Sequence, residues 1–402
     1  AVDLVTMDAE LGRRGTLPGV GGIEYLIELT QFVPTTANVR YYIRIVAEKS
    51  TLRRLIAAAG EISREGYAQE KDLPEVLALS EKLIFDIVMQ RAGGEDLKHI
   101  KEVLTTTYEK MEQLARLKGA VSGVPSGFYG LDNLLTGLHG GELILVGARP
   151  SMGKTSFAIN MATHAARKGF KVAVFSLEMP REQIAMRMLC CDARVNMQSV
   201  RKGLLKDEDW IRLARTLAPL AASEVYIDDT SGLTPGQLRS RCRRLMMDKG
   251  LDMIVVDYLG LMIGEKDKKA ENRNLELGGI SRELKLLASE LEIPIVAAAQ
   301  LSRTVNETDK PKLNSLRDSG ELEQNAVKVI FLWKTDPGDD TQVGCTVAKN
   351  RRGRTGDVNF YFDGSKMTFT ELSSRTENEE PRDKFHQRPR RRRLEMGTAE
   401  GD

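Results

Sequence analysis

The chain has 402 residues, 41% of them apolar and 29% charged, which is the make-up of a globular protein with room for two or three domains. A formal net charge of +2 excludes a uniformly basic nucleic-acid coat, so any contact with a polyanion must come from local patches. Cys190, Cys191, Cys242 and Cys345 form no Cys-x-x-Cys pair and have no histidine at metal spacing, and no apolar run has the length of a membrane span. Reduced thiols of a cytosolic protein are expected.

The chain opens on Ala1-Val2-Asp3-Leu4, without secretory-signal character or an initiator methionine, and reads as a fragment or a trimmed chain. Residues 1 to 92 predict an all-helical domain. Val39, Tyr42, Ile43, Val46, Leu52, Leu55, Ile56, Ala59 and Ile62 recur at helical spacing after a Thr35-Thr36 start signal. Val76, Leu77, Leu83, Ile84, Ile87 and Val88 mark a further helix from Pro74 to Gln90. Nothing here suggests catalysis, so packing and docking are the expected roles. Ala92-Gly93-Gly94 interrupts the pattern and begins a linker segment, 93 to 118. Within it Leu97, Ile100, Val103, Leu104, Tyr108, Met111, Leu114 and Leu117 share one side of a helix. Either the same chain or a neighbouring subunit can cover that stripe, and most such stripes belong to a core.

From Gly119 to about residue 373 strands and helices alternate. Strands are expected at Leu143–Val146, Lys171–Ser176, Val225–Asp228, Met253–Asp257, Pro294–Ala299, Val327–Trp333, Gly344–Ala348 and Val358–Phe362. Helices between the first five predict right-handed crossovers and a parallel sheet, and the short late connections predict an antiparallel extension. Residues 374 to 402 are polar, carry the run Arg388-Pro389-Arg390-Arg391-Arg392-Arg393, and are expected to be disordered.

The chemistry-bearing stretch is Gly147-Ala148-Arg149-Pro150-Ser151-Met152-Gly153-Lys154-Thr155, set between an apolar strand and a helix beginning at Ser156. Backbone N–H groups and the positive end of that helix suit phosphates, Lys154 suits the β and γ oxygens, and the Thr155 hydroxyl suits Mg²⁺. The usual first glycine is Ala148, with Gly147 one residue earlier. A Gly-Lys-Thr that merely opens a helix is the plainer alternative, and the flanking elements favour the phosphate loop. Asp257 ends an apolar strand where ligands of parallel sheets gather and is a candidate for the Mg²⁺ sphere. Glu178 lies just past a strand tip, placed either to polarise an attacking water or to cap a helix before Pro180. Gln300 ends another strand, where it either senses the γ-phosphate or is structural.

Val124-Pro125-Ser126-Gly127, Ala148 to Thr155, Ser176-Leu177-Glu178-Met179, Val256-Asp257-Tyr258-Leu259-Gly260, Ala299-Gln300-Leu301-Ser302-Arg303 and Leu316-Arg317-Asp318-Ser319-Gly320 occur in the order found in DnaB-type replicative helicases, which the chain therefore resembles. Val2-Asp3-Leu4-Val5 and Val20-Gly21-Gly22-Ile23 resemble that family's helical N-terminal domain, entered midway, so part of it is expected to lie outside this sequence. The resemblance implies an α/β RecA-like P-loop ATPase domain with a mostly parallel twisted sheet flanked by helices, preceded by a small all-α domain and a linker helix. It implies ATP and Mg²⁺ as cofactors, with Ser151, Met152, Gly153, Lys154, Thr155 and Ser156 on the nucleotide, Thr155 and Asp257 on the metal, and Glu178 as catalytic base. It places Arg187 on the γ-phosphate within the subunit and has Gln300 couple nucleotide state to DNA. It makes Lys349 and Arg351 an arginine finger inserted from a neighbouring subunit, a role that Arg352 or Arg354 either shares or leaves to solvation. Arg317, Asp318, Ser319 and Gly320 match a central-channel loop that grips DNA through phosphates. The family more often has glutamate where Asp318 stands, and the stretch Glu321 to Lys328 departs from its usual acidic pattern after Glu323-Gln324. Gly264 to Asn274 corresponds to a second channel loop. The implied activity is 5′→3′ translocation of a homohexamer on single-stranded DNA. Primase and a helicase loader are the implied partners, at a cytoplasmic, nucleoid-associated replication fork with no membrane. Two alternatives stand beside it: a KaiC-like or RadA-like ATPase without processive unwinding, and a non-catalytic nucleotide-dependent ring.

Overall fold

The computed structural model describes residues 4–32, 39–89, 99–116, 121–264, 273–301, 309–316 and 320–372. Thr35-Thr36, Arg317, Asp318, Ser319, most of the expected second channel loop and the arginine-rich tail lie outside the described residues. The chain divides into two compact units, Ala1–Leu97 and Lys98–Asp402.

The first unit contains helices α1 (Leu4–Arg13), α2 (Gly22–Phe32), α3 (Val39–Ala68) and α4 (Leu73–Met89). The helical periodicity of 39–62 therefore runs on to Ala68. Helices α3 and α4 pack as a hairpin, with Ala58, Phe85 and Ile87 buried between them. Val46, Ile56, Leu73 and Leu77 remain exposed, so the described residues leave part of this unit's apolar surface uncovered.

The second unit begins with α5 (Ile100–Arg116), within the predicted amphipathic segment, whose Leu97 and Leu117 lie outside the described residues. Its Ile100, Leu104, Tyr108 and Met111 are exposed, so the described residues do not bury this part of the stripe. Helix α6 (Tyr129–Leu135) follows, then the strand–helix alternation: β1 (Leu143–Ala148), α7 (Lys154–Arg167), β2 (Val172–Ser176), α8 (Arg181–Ala193), α9 (Met197–Lys202), α10 (Asp207–Ala221) and β3 (Val225–Asp228). The order continues with α11 (Pro235–Asp248), β4 (Met253–Asp257), α12 (Arg273–Leu291), β5 (Ile295–Gln300) and α13 (Gly320–Asn325). It closes on β6 (Lys328–Asp336), β7 (Asp339–Asn350), β8 (Gly356–Asp363) and β9 (Thr368–Glu371).

The nine strands form one sheet in the order β3-β2-β4-β5-β1-β6-β7-β8-β9. The first six in that order run parallel, and β7, β8 and β9 return as an antiparallel meander. Strand β6 joins the parallel set beside β1, one strand more than the helical crossovers alone predict. Strand β9 escapes sequence reading because its four residues, Thr368 to Glu371, include a single apolar residue and so show no apolar run. The strands at the centre read as unbroken apolar runs because both faces are covered, and every residue of β1, β2 and β4 is buried.

Helix α7 lies against the sheet with ten of its fourteen residues buried, so it packs far more completely than an amphipathic surface helix. Phe157 from α7 stacks on Phe128 at 5.1 Å and meets Phe369 of β9 edge-on at 5.2 Å, while Phe360 of β8 meets Phe128 at 4.8 Å. Asn160 donates to the Met367 carbonyl and accepts from the Phe369 N–H, each at 2.9 Å. These contacts lock the late hairpin onto the helix that follows the phosphate loop.

Candidate active site

The phosphate loop leaves β1 at Ala148 and enters α7 at Lys154. Ser151 (φ 67) and Gly153 (φ 77) both take left-handed backbone conformations, which turn successive N–H groups toward one concavity. Gly153 is required twice over. Its φ suits glycine, and a Cβ there would stand 2.9 Å from Phe369 and 3.0 Å from Phe362. Met152 is buried in the core, and the Ser156 hydroxyl donates to the Met367 sulfur at 3.5 Å, so any phosphate contact from these two residues comes through backbone.

The sheet register brings the remaining predicted groups to the same edge. Ser176 pairs with Asp257 across β2 and β4, and Ala148 pairs with Gln300 across β1 and β5. The Leu177 N–H donates to the Asp257 carbonyl at 2.8 Å, and the Ser176 hydroxyl donates to the Met179 carbonyl at 2.7 Å, which fixes the turn presenting Glu178. Glu178 and Gln300 are exposed at the mouth of the site, whereas Asp257 is buried. Lys154 and Arg187 both interact electrostatically with Asp257 and Glu178, so the two cations and two carboxylates face one space.

Burial dominates the titration of this cluster. It pulls Lys154 below the ordinary lysine range, with Asp257 and Glu178 opposing, and it pulls Arg187 down, with Arg201 adding to the effect. It pushes Asp257 above the usual carboxylate range, while the Thr155 hydroxyl, Lys154 and Arg187 pull back. Neither carboxylate oxygen of Asp257 has a partner in hydrogen-bond geometry, although Thr155 lies close enough to act on it. The Nε of Arg187 is likewise buried without a hydrogen-bond partner. A buried carboxylate with two orphan oxygens beside a threonine hydroxyl is a donor set for a hard divalent cation, so Thr155 and Asp257 fit Mg²⁺.

Two groups at this site were assigned no role from the sequence. The Lys154 ammonium sits 4.4 Å from the centre of the Tyr258 ring, a cation–π contact made possible because Tyr258 follows Asp257 directly. Arg201 of α9 reaches the field of Arg187 from an element with no motif.

Lys349 and Arg351 do not join this cluster. Strand β7 runs antiparallel to β6, so its C-terminal end lies at the opposite edge of the sheet, with Asn350 paired to Lys328. The Arg351 N–H donates to the Val327 carbonyl at 3.1 Å, and the Val327 N–H donates to the Leu143 carbonyl at 2.9 Å. Leu143 begins β1 and Ala148 ends it, so at about 3.3 Å per residue the expected finger residues and the phosphate loop stand roughly 17 Å apart along the strand. An arginine side chain does not bridge that span. Lys349 donates to the Glu323 carbonyl at 2.5 Å and Arg351 to the Gln324 carbonyl at 2.7 Å, both on the C-terminal end of α13, where the helix dipole favours cations. Of the expected DNA-gripping residues, Gly320 opens α13, and Arg317, Asp318 and Ser319 are outside the described residues.

Residues 123–371 match the family described as the DnaB-like helicase C terminal domain, and residues 1–48 match the DnaB-like helicase N terminal domain. The replicative DNA helicase DnaC of Bacillus subtilis strain 168 is 43% identical over 382 residues, spanning 93% of this chain and 84% of the relative. The replicative DNA helicase DnaB of Geobacillus stearothermophilus is 42% identical over the same length, with the same coverage. Among solved structures, a DnaB-like replicative helicase studied with its primase interactions is 30% identical with a TM-score of 0.65, covering 92% of this chain and 88% of that one.

Proposed function

The chain belongs to the DnaB-like helicase family, and from that premise we propose how its residues divide the work of an ATP-driven replicative DNA helicase. The enzyme hydrolyses ATP and uses the turnover to move along DNA and separate the strands. One observation carries the assignment of roles: the phosphate loop with Glu178, Asp257 and Gln300 stands at one edge of the sheet, and Lys349 with Arg351 stands at the other. Each subunit thus holds two incomplete halves of a site, and a head-to-tail ring of identical subunits completes them.

In this reading the nucleotide is ATP with Mg²⁺, and the ring is a homohexamer. Backbone N–H groups of residues 151 to 156 cradle the phosphates at the start of α7. Lys154 leaves the Tyr258 face for the β and γ oxygens. Thr155 and Asp257 would hold Mg²⁺, which would supply charge neutralisation to the triphosphate. Glu178 accepts the proton of the attacking water. Arg187 lies against the γ-phosphate from the same subunit, and Gln300 reports its presence through β5. Lys349 and Arg351 of the neighbouring subunit offset the charge that develops in the transition state, which makes turnover conditional on a correctly apposed neighbour.

The ring encloses one strand and travels 5′→3′, with Arg317, Asp318, Ser319 and Gly320 gripping phosphates without reading bases. Primase and a helicase loader are its protein partners; a family relative solved with its primase interactions supports the first. It works in the cytoplasm at the nucleoid-borne replication fork, and among the described residues no helix is long and apolar enough to cross a membrane.

The test is strand separation on a forked duplex with ATP. The wild-type protein is expected to release the displaced strand, and Lys154→Ala to abolish both release and ATPase. ATPase without strand release, in both fork polarities, would favour the KaiC-like or RadA-like alternative.

A further inference from the structure

Lys328, in the stretch that departs from the family pattern, is fully buried at the start of β6, where its ammonium meets the equally buried Glu142 at 2.7 Å. Its other donors are satisfied by the carbonyls of Gly137 at 2.9 Å and Leu135 at 3.2 Å. Glu142 immediately precedes β1. One of its oxygens takes Lys328 and the His139 N–H at 3.3 Å. The other lies 3.2 Å from the Arg352 Nε, within ion-pair range though outside hydrogen-bond geometry. Arg352 follows the finger residue Arg351, and its side chain is 54% exposed.

A surface arginine pairing with a surface carboxylate would be held weakly. Here the anchor is a carboxylate with no solvent contact, itself fixed by a buried ammonium, so its charge is little screened. The same turn is tied from a second side. Asn350 donates to the Leu134 carbonyl at 3.0 Å and to the Arg354 carbonyl at 3.2 Å, and it accepts from the Arg352 N–H at 3.1 Å. Lys285 of α12 donates to the Gly141 carbonyl and feels both Arg351 and Arg352. Without Glu142, the cations of this edge would repel one another with no carboxylate between Lys328, Lys285 and Arg352.

We propose that Glu142 is a positioning residue for the trans-acting finger: held by Lys328, it anchors Arg352 and so fixes the turn that presents Lys349 and Arg351 to the adjoining subunit's nucleotide. The inference rests on the assignment of Lys349 and Arg351 as a finger acting in trans. Arg352 accordingly serves the turn and does not itself reach the phosphate.

The rival role is structural. Glu142 leads into β1 and the phosphate loop, so its loss through misfolding would damage the subunit's own site. Subunit mixing separates the two. Glu142→Gln is expected to lower kcat for ATP by about tenfold to a hundredfold, as a misplaced catalytic group does, with KM little changed. Rings assembled from equal amounts of Glu142→Gln and Lys154→Ala subunits should recover activity. In them an intact phosphate loop meets an intact finger at about a quarter of the junctions. Mixing Glu142→Gln with Arg351→Ala should recover nothing. Arg352→Ala, a surface change that spares the buried pair, should repeat this pattern. If Arg351→Ala is rescued by Lys154→Ala and Glu142→Gln is not, or if Glu142→Gln is as active as wild type, the anchor is refuted while the trans finger stands. If even Arg351→Ala is not rescued, the trans reading itself fails.

Discussion

Glu178 is exposed at the tip of β2, where its turn is set by the Ser176 hydroxyl on the Met179 carbonyl. A side chain in that place contributes little to folding, so its substitution tests chemistry cleanly. Glu178→Gln is expected to cut ATP turnover by about a hundredfold or more while nucleotide affinity, measured by equilibrium binding, stays near wild type. Unchanged turnover would remove Glu178 from the role of base. The residues of this edge were legible in the sequence because each ends an apolar run or follows a strand, and topology sends such ends to one place. Tyr258 and Arg201 were not legible, because a ring beneath an ammonium and a cation on a neighbouring helix leave no spacing to read. Glu142 and Lys328 were harder still: they are far apart in the chain and meet only because β6 pairs with β1.

At the scale of elements, β3 and β4 coincide with their expected ranges, while β6 and β7 extend well beyond theirs. Buried apolar runs reveal a central strand, but the polar outer halves of a long hairpin look like loop until pairing is known. Helix α5 presents the clearest unfinished surface, with Ile100, Leu104, Tyr108 and Met111 exposed along one side. Sequence left open whether the same chain or a neighbour covers it, and the described chain does not. We propose that this stripe is a contact between subunits of the ring. On that reading, Leu104→Asp combined with Met111→Asp is expected to dissociate the ring to smaller species in sedimentation velocity and to reduce ATPase in parallel, since the proposed site is completed by a neighbour. A hexamer that survives both changes would show that α5 does not hold the ring.

At the scale of the molecule, one sheet carries the proposed nucleotide-binding groups at the carboxyl ends of its parallel strands and the proposed finger, Lys349 and Arg351, at their amino ends. The meander of β7, β8 and β9 makes this possible, since a single antiparallel return brings Lys349 and Arg351 back across the sheet. On the proposed reading the same geometry bars a subunit from completing its own site, and we infer a closed ring as the active form. The most direct measurement is therefore ATPase in rings assembled from two inactive parents, Lys154→Ala and Arg351→Ala. The predicted result is recovery toward about a quarter of wild-type turnover per subunit, from junctions that pair an intact phosphate loop with an intact finger. Mixed rings as inactive as either parent, with hexamers confirmed by sedimentation, would contradict a site shared between subunits.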